Sequence, residues 1–322
     1  MNQLRPKYSQ QKNADAAFRS LIVEEPEAHL HPQLQAVLLR YLSNIECEKG
    51  EKPVQVFVTS HSPNFASIAE LSSIACLVDA GSRVESFHPR AVSFAKGKRE
   101  KLERYLDVTR AELFFARRVI FVEGAAELLM VNLLARRSKI DLRNHGVSLI
   151  SVEGLNFDSF LPLFGQKAIK VPAAVITDAD PEKIAVPGSK PVAHYPALGE
   201  AITPSANTAA MKSLEDDFIK VFHGVKTFEY DFALHEKNRF AMLAALKDIH
   251  PQIGAALEVT VNAAANDAAK AKALFKGMFE RSEGNVQKGR FAQALAAKIE
   301  DDKIEIVVPD YILAAVKHAS HK

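Results

Sequence analysis

Apolar residues occur first in short runs and alternations, and then in a regular strand-and-helix order. Residues 20–24 are an apolar run ending in carboxylates and predict a buried strand. Helical spacing of apolar positions over 31–42 predicts a helix, and Val54, Val56 and Val58 within 53–59 predict a second strand. Residues 74–78 and 83–87 flank Asp79-Ala80-Gly81-Ser82, which has the composition of a hairpin turn. A basic stretch over 96–104 leads into a helix expected to run through Arg117.

Beyond it, 119–122, 148–152 and 173–177 read as strands separated by helices at 126–136 and 157–164. That alternation predicts an α/β fold, a parallel sheet flanked by helices. Residues 181–210 hold Pro181, Pro187, Pro191, Pro196 and Pro204 and predict a long loop. A further strand is expected at 227–230. The Ala-, Lys- and Glu-rich stretch 235–299 predicts three or four helices as a helical extension.

Composition narrows the class only a little. With 322 residues the chain has room for two cores, and 48% hydrophobic with 25% charged residues is ordinary for a globular protein. No apolar run approaches the roughly 18 residues of a membrane span, so no membrane partner is expected. The amino terminus lacks the pattern of a signal peptide, and Cys47 and Cys76 stand far apart without metal-ligand spacing. Both points suit a cytoplasmic protein with free thiols, although spacing alone does not decide against a disulfide. A net charge of +2 neither demands nor excludes nucleic acid. Basic clusters at 96–104, Arg117-Arg118, Arg136-Arg137 and 270–276 could track phosphates, but such charges are ordinarily solvated helix faces.

Two constellations carry chemistry. In Leu21-Ile22-Val23-Glu24-Glu25-Pro26-Glu27-Ala28-His29-Leu30-His31-Pro32 a strand delivers adjacent carboxylates to its end, and Thr59-Ser60-His61-Ser62-Pro63 follows the next strand. One carboxylate there can reach the water shell of Mg²⁺ while its neighbour polarises a water. These strings resemble the Walker B, D-loop and switch-His elements of ABC-type ATPases. The resemblance implies that Glu24 holds the metal's water shell, Glu25 is the hydrolytic carboxylate and His61 senses the γ-phosphate. No G-x-x-x-x-G-K-[ST] string occurs, so ATP hydrolysis is not expected of this chain alone, and ATP would belong to a longer protein. His29 and His31 could begin a zinc site, but no further ligands stand nearby in sequence.

The second constellation is acidic. Phe121-Val122-Glu123-Gly124-Ala125-Ala126-Glu127 places Glu123 at a strand end and Glu127 in the following helical turn. Asp178 and Asp180 follow a strand with i, i+2 spacing, and so do Glu229 and Asp231 on the strand expected at 227–230; extended chain points such pairs to one side. Crowded carboxylates roughly 4 Å apart repel by about 1 kcal/mol in water and about 4 at an effective dielectric of 20. A divalent cation resolves this, and oxygen donors without His or Cys select Mg²⁺, Mn²⁺ or Ca²⁺.

This order of acidic motifs resembles the Toprim domain, and more closely the OLD (overcoming lysogenization defect) family of nucleases, in which an ABC-type ATPase half precedes a Toprim half. Asp107-Val108-Thr109-Arg110-Ala111-Glu112-Leu113-Phe114-Phe115-Ala116, Ser151-Val152-Glu153-Gly154 and Lys288-Gly289-Arg290-Phe291 fit the same family. The resemblance implies the carboxyl-terminal part of an ATPase domain over 1–93 and a Toprim nuclease domain with helical elements over 94–322. It implies a DNA endonuclease with two Mg²⁺ or Mn²⁺ ions, for which Ca²⁺ would be an inert substitute. Glu123, Asp178 and Asp180 would hold one ion; Glu127 and Asp231, assisted by Glu229, would hold the other. Glu123 and Lys288 would be catalytic, with Lys288 neutralising charge at phosphorus. Tyr230 should point away from the ligands, which favours hydrolysis over transesterification. Pairing of two copies through the ATPase half is implied, and phage defence and DNA repair both suit the family. The alternatives are a non-catalytic DNA-binding clamp and a topoisomerase- or primase-like Toprim protein.

Overall fold

The computed structural model describes residues 19–45, 53–79 and 81–320. The amino-terminal stretch before Arg19, Cys47, and Ala80 of the expected hairpin turn lie outside the described residues. The chain divides into two compact units, Met1–Ala69 and Glu70–Lys322.

In the first unit, strand β1 (Arg19–Glu24), helix α1 (Pro32–Ser43), strand β2 (Val54–Thr59) and helix α2 (Pro63–Ile68) follow the expected order. β1 and β2 pair in parallel, with Glu24 opposite Thr59. Helix α1 starts where Pro32 fixes φ, after His31, whose Nδ1 accepts from the Gln33 amide at 3.4 Å. The expectation of a buried first strand is corrected. Ile22 and its partner Phe57 are 67% and 46% exposed, because this sheet has only two strands and one face stays open among the described residues.

The second unit opens with an antiparallel hairpin, β3 (Cys76–Asp79) and β4 (Val84–Phe87). Cys76 is buried with a free thiol, and burial pushes its pKa up to about 12. Helix α3 (Lys98–Tyr105) does not continue to Arg117 as expected. Leu106 leaves helical geometry, and Asp107 starts a separate helix, α4 (Val108–Ala111), its carboxylate accepting from the Arg110 amide at 2.9 Å.

Then come β5 (Arg118–Val122), α5 (Ala125–Arg137), β6 (Val147–Ser151), α6 (Phe157–Phe160), β7 (Ala173–Ile176), α7 (Ala206–Lys212) and β8 (Ile219–Phe222). The four strands form one parallel sheet in the order β6-β5-β7-β8. Strand β5 is central, and Val119 to Val122 are all fully buried, which explains its uninterrupted apolar sequence. Ile120 and Val122 join the large core with α5 residues, whereas Phe121 meets Phe160 and Phe164 at ring distances of 6.1 and 5.3 Å.

The helical extension comprises α8 (Phe228–Ala233), α9 (Glu236–Ile249), α10 (Pro251–Ala263), α11 (Asp267–Phe279), α12 (Lys288–Glu300) and α13 (Asp310–Ser320). The strand expected at 227–230 is therefore helix. Thr227 caps it, its hydroxyl accepting from the Tyr230 amide at 3.4 Å, and Glu229 and Asp231 in the first turn favour the helix dipole. Buried Arg239 donates to the carbonyls of Ala233 and Leu234, both at 2.9 Å, and satisfies the far end.

Candidate active site

In the order β6-β5-β7-β8 the chain leaves β5 for β6 and then returns to the other side of β5 for β7. Helices on opposite faces diverge at such a reversal and leave a crevice at the carboxyl ends of the two strands. Glu123 directly follows β5, and Asp178 stands two residues beyond β7, so both carboxylates flank this crevice.

Their positions are fixed by hydrogen bonds across the sheet end. Glu123 Oε1 accepts from the Thr177 hydroxyl at 2.7 Å and from the Asp178 amide at 2.8 Å. Asp178 Oδ1 accepts from the Phe228 amide at 3.0 Å, and the Asp178 carbonyl accepts from the Thr208 hydroxyl at 2.8 Å. Gly124 lets α5 begin at once, and a Cβ there would lie 3.2 Å from Glu127 Oε2. Burial, then the carboxylates of Glu123 and Glu229, hold the Asp178 pKa well above the usual carboxylate range. Burial and the charges of Glu229 and Glu123 raise Glu127 as well.

Asp180 differs from its expected placement. It has φ +41°, so the chain is not extended there, and its side chain is exposed. Its amide and that of Ala179 both donate to the Lys226 carbonyl, at 3.2 and 2.7 Å.

Because residues 228–233 are helical, Glu229 and Asp231 point in different directions. Glu229 is 5% exposed and reaches Lys288, the first residue of α12, whose ammonium lies 3.0 Å from each carboxylate oxygen. Glu229 Oε1 is buried, and the Lys288 ammonium is its ionic partner. Burial opposes the charge on Lys288, but the carboxylates of Glu229, Asp178 and Glu127 outweigh it and raise its pKa, so the ammonium stays charged. Asp231 Oδ1 instead accepts from the amides of Val225 and Lys226, at 3.1 and 3.0 Å, and so holds the loop between β8 and α8. Gly224 is required beneath it, since a Cβ there would stand 1.8 Å from Asp231 Oδ2. Buried Tyr230 turns away, its hydroxyl donating to the Pro196 carbonyl at 2.9 Å.

Glu127, Asp178 and Glu229 thus interact electrostatically with Lys288, and Glu123 with Glu127 and Asp178. Among the described residues no three carboxylate, His or Cys side chains stand close enough together to enclose an ion as they are. The set nevertheless fits a hard divalent cation: the donors are all oxygen, and burial with neighbouring carboxylates disfavours the charged forms of Asp178 and Glu127 without additional positive charge.

In the first unit, Glu24 ends β1, and Glu25 has φ +40° with its carboxylate 3.4 Å from His61 Nε2. Glu27 Oε1 accepts from the Ser60 hydroxyl at 2.6 Å and the His61 amide at 3.0 Å, tying the two strand-end loops together. No functional part was expected of Glu27, which stands inside the string from Leu21 to Pro32, or of Thr177, which ends the strand expected at 173–177.

Residues 114–180 match the family model of the Overcoming lysogenization defect protein-like TOPRIM domain, and residues 4–66 match that of an AAA ATPase domain. The chain is 29% identical over 177 residues to the OLD nuclease of Thermus scotoductus, a stretch covering 51% of this chain and 33% of that protein. It is 23% identical over 198 residues to Endonuclease GajA of Bacillus cereus, covering 54% and 28% respectively. The matches thus span a third or less of the length of these relatives. The carboxyl-terminal region of the Burkholderia pseudomallei OLD protein matches with a TM-score of 0.41 and 25% identity, covering 64% of this chain and 97% of that one. That of Xanthomonas campestris gives 0.44 and 26%, covering 65% and 94%. The resemblance to the OLD family is upheld: the chain carries an OLD-like Toprim domain on a parallel sheet flanked by helices, preceded by an AAA-like segment.

Proposed function

We propose that this chain, with its OLD-like Toprim domain, is the nuclease part of an ATPase-coupled protein and hydrolyses phosphodiester bonds of DNA with Mg²⁺ or Mn²⁺. The observation that carries the reading is the gathering of Glu127, Asp178 and Glu229 about the Lys288 ammonium, with Glu123 beside Asp178, at a sheet's switch point. The names of two relatives, a nuclease and an endonuclease, support it.

Glu123 and Asp178, with Asp180 at the rim, would hold one cation; Glu127 and Glu229 would hold the other, with Asp231 acting through the β8–α8 loop. Two such ions, when bound, activate a water and stabilise the departing oxygen of an in-line displacement. The chain's own groups do the rest. The Thr177 hydroxyl and Asp178 amide fix the rotamer of Glu123, which limits reorganisation on binding. Lys288, half exposed, would meet a bound phosphate with its ammonium and offset charge developing on the phosphorane oxygens. Tyr230, buried with its hydroxyl engaged, is not free to act as a nucleophile, which favours water as the attacking group.

The test is nicking of supercoiled plasmid with Mg²⁺ or Mn²⁺. Wild type should cut, whereas Glu123→Ala and Asp178→Asn should lose cleavage with their circular dichroism unchanged. Equal cleavage by all three proteins overturns the assignment.

A further inference from the structure

The Arg110 side chain is only 14% exposed, yet it lies outside the acidic cluster and its guanidinium is spent on internal contacts. Nε donates to the Ser151 carbonyl at 2.8 Å and Nη2 to Glu153 Oε1 at 3.0 Å. Nη1 donates to the Tyr105 carbonyl at 3.2 Å and to Asp107 Oδ2 at 2.6 Å. One planar fork therefore joins the end of α3, the cap of α4 and the carboxyl end of β6. A lysine ammonium, a single point charge, cannot reproduce that fork.

What β6 does at that end explains the contact. Directly after it, Glu153 has φ +55° and Gly154 φ +86°. A left-handed glutamate is costly and persists only where its surroundings impose it. The turn it makes aims the Gly154 amide at the Glu123 carbonyl, 2.7 Å away, and the Ser151 hydroxyl approaches the same carbonyl at 3.4 Å. The backbone of Glu123 is thus held from the β6 side, while its carboxylate is held from the β7 side by Thr177 and Asp178.

We infer that Arg110 is a positioning residue for the proposed nuclease site: by clamping Ser151 and Glu153 it fixes the turn that holds the Glu123 backbone, and with it the Glu123 carboxylate. The inference rests on the proposed reading that Glu123 binds a cation. Groups that orient a metal ligand typically change metal affinity or activity by about 10- to 100-fold when removed.

The experiment compares wild type, Arg110→Ala, Arg110→Lys and Glu153→Gln in the full chain. Bound Mn²⁺ is counted by electron paramagnetic resonance, and plasmid nicking is followed over a Mn²⁺ series. For Arg110→Ala the half-saturating Mn²⁺ concentration should rise about tenfold, and nicking at saturating Mn²⁺ should fall about tenfold or more. Arg110→Lys should recover little of either. Glu153→Gln, whose substitution lies at a half-exposed side chain, should shift both in the same direction and serves if Arg110→Ala does not fold. A lowered melting temperature with unchanged Mn²⁺ binding would mean that Arg110 only stabilises the fold, and overturns the inference. Full recovery in Arg110→Lys overturns it too. If wild type binds Mn²⁺ but does not nick, the nuclease reading fails while the binding arm still judges Arg110.

Discussion

Asp231 offers a quantitative test of how the β8–α8 loop is built. Burial pushes its pKa from an ordinary 3.8 up to about 7; the amides of Val225 and Lys226 lower it, Glu229 raises it further and the Lys226 charge lowers it. The residue is 4% exposed, so solvent screening does not discount this shift. In the unfolded chain Asp231 ionises near its ordinary value, whereas in the folded chain it keeps its proton until about pH 7. The folded state therefore binds more protons between these limits, and stability falls as pH rises. The contribution is fully present below the unfolded pKa and is lost as pH climbs through the folded one. About three pKa units correspond to about 4 kcal/mol, of which roughly 2–3 should be lost between pH 5 and pH 8. Asp231→Asn removes the titration while keeping a carbonyl oxygen for the two loop amides. Urea denaturation in EDTA at several pH values should show wild-type stability falling over this window. The variant's slope should be shallower by about that amount, with Asp178 and Glu127 supplying the remainder. Parallel slopes in the two proteins would refute the account of Asp231 as a buried carboxyl held by loop amides.

Two further outcomes follow from the packing and the charge pattern. Lys288→Met should cut plasmid nicking by roughly 10²- to 10³-fold, as loss of a preorganised oxyanion partner does elsewhere, while thermal unfolding stays cooperative; an unchanged rate removes the lysine from the mechanism. Phe121→Ala should cost about 3–5 kcal/mol by denaturant titration, because the ring is fully buried against Phe160 and Phe164; a loss below 1 kcal/mol would show that the sheet face collapses onto the gap.

Strands β5 and β7 of the central sheet were legible because they are buried on both sides and so read as unbroken apolar runs, as in Val119 to Val122. Glu123 and Asp178 were legible for the same reason: Glu123 directly follows the β5 run, and Asp178 stands two residues beyond that of β7. Misreadings arose where local composition and tertiary context disagree. Thr227-Phe228-Glu229-Tyr230-Asp231 has the β-branched and aromatic content of a strand, yet Thr227 caps a helix and Phe228, Tyr230 and Phe232 are all buried by it. β8 went unpredicted because Ile219-Lys220-Val221-Phe222 is short and follows Glu215-Asp216-Asp217. Two of those acids are structural: Asp216 Oδ1 accepts from the amides of Phe218 and Ile219, each at 2.8 Å, and Glu215 Oε1 from the Val221 amide at 2.7 Å. The role of Arg110 was out of reach, since its partners Ser151 and Glu153 are distant in sequence and no local pattern joins them.

The switch-point arrangement also sets when the charge cluster can assemble during synthesis. Glu123 meets Asp178 across 55 residues, and Glu229 meets Lys288 across 59 more. A ribosome must therefore deliver α12 before the lysine can join the carboxylates, and any shorter nascent polypeptide lacks the assembled charge cluster.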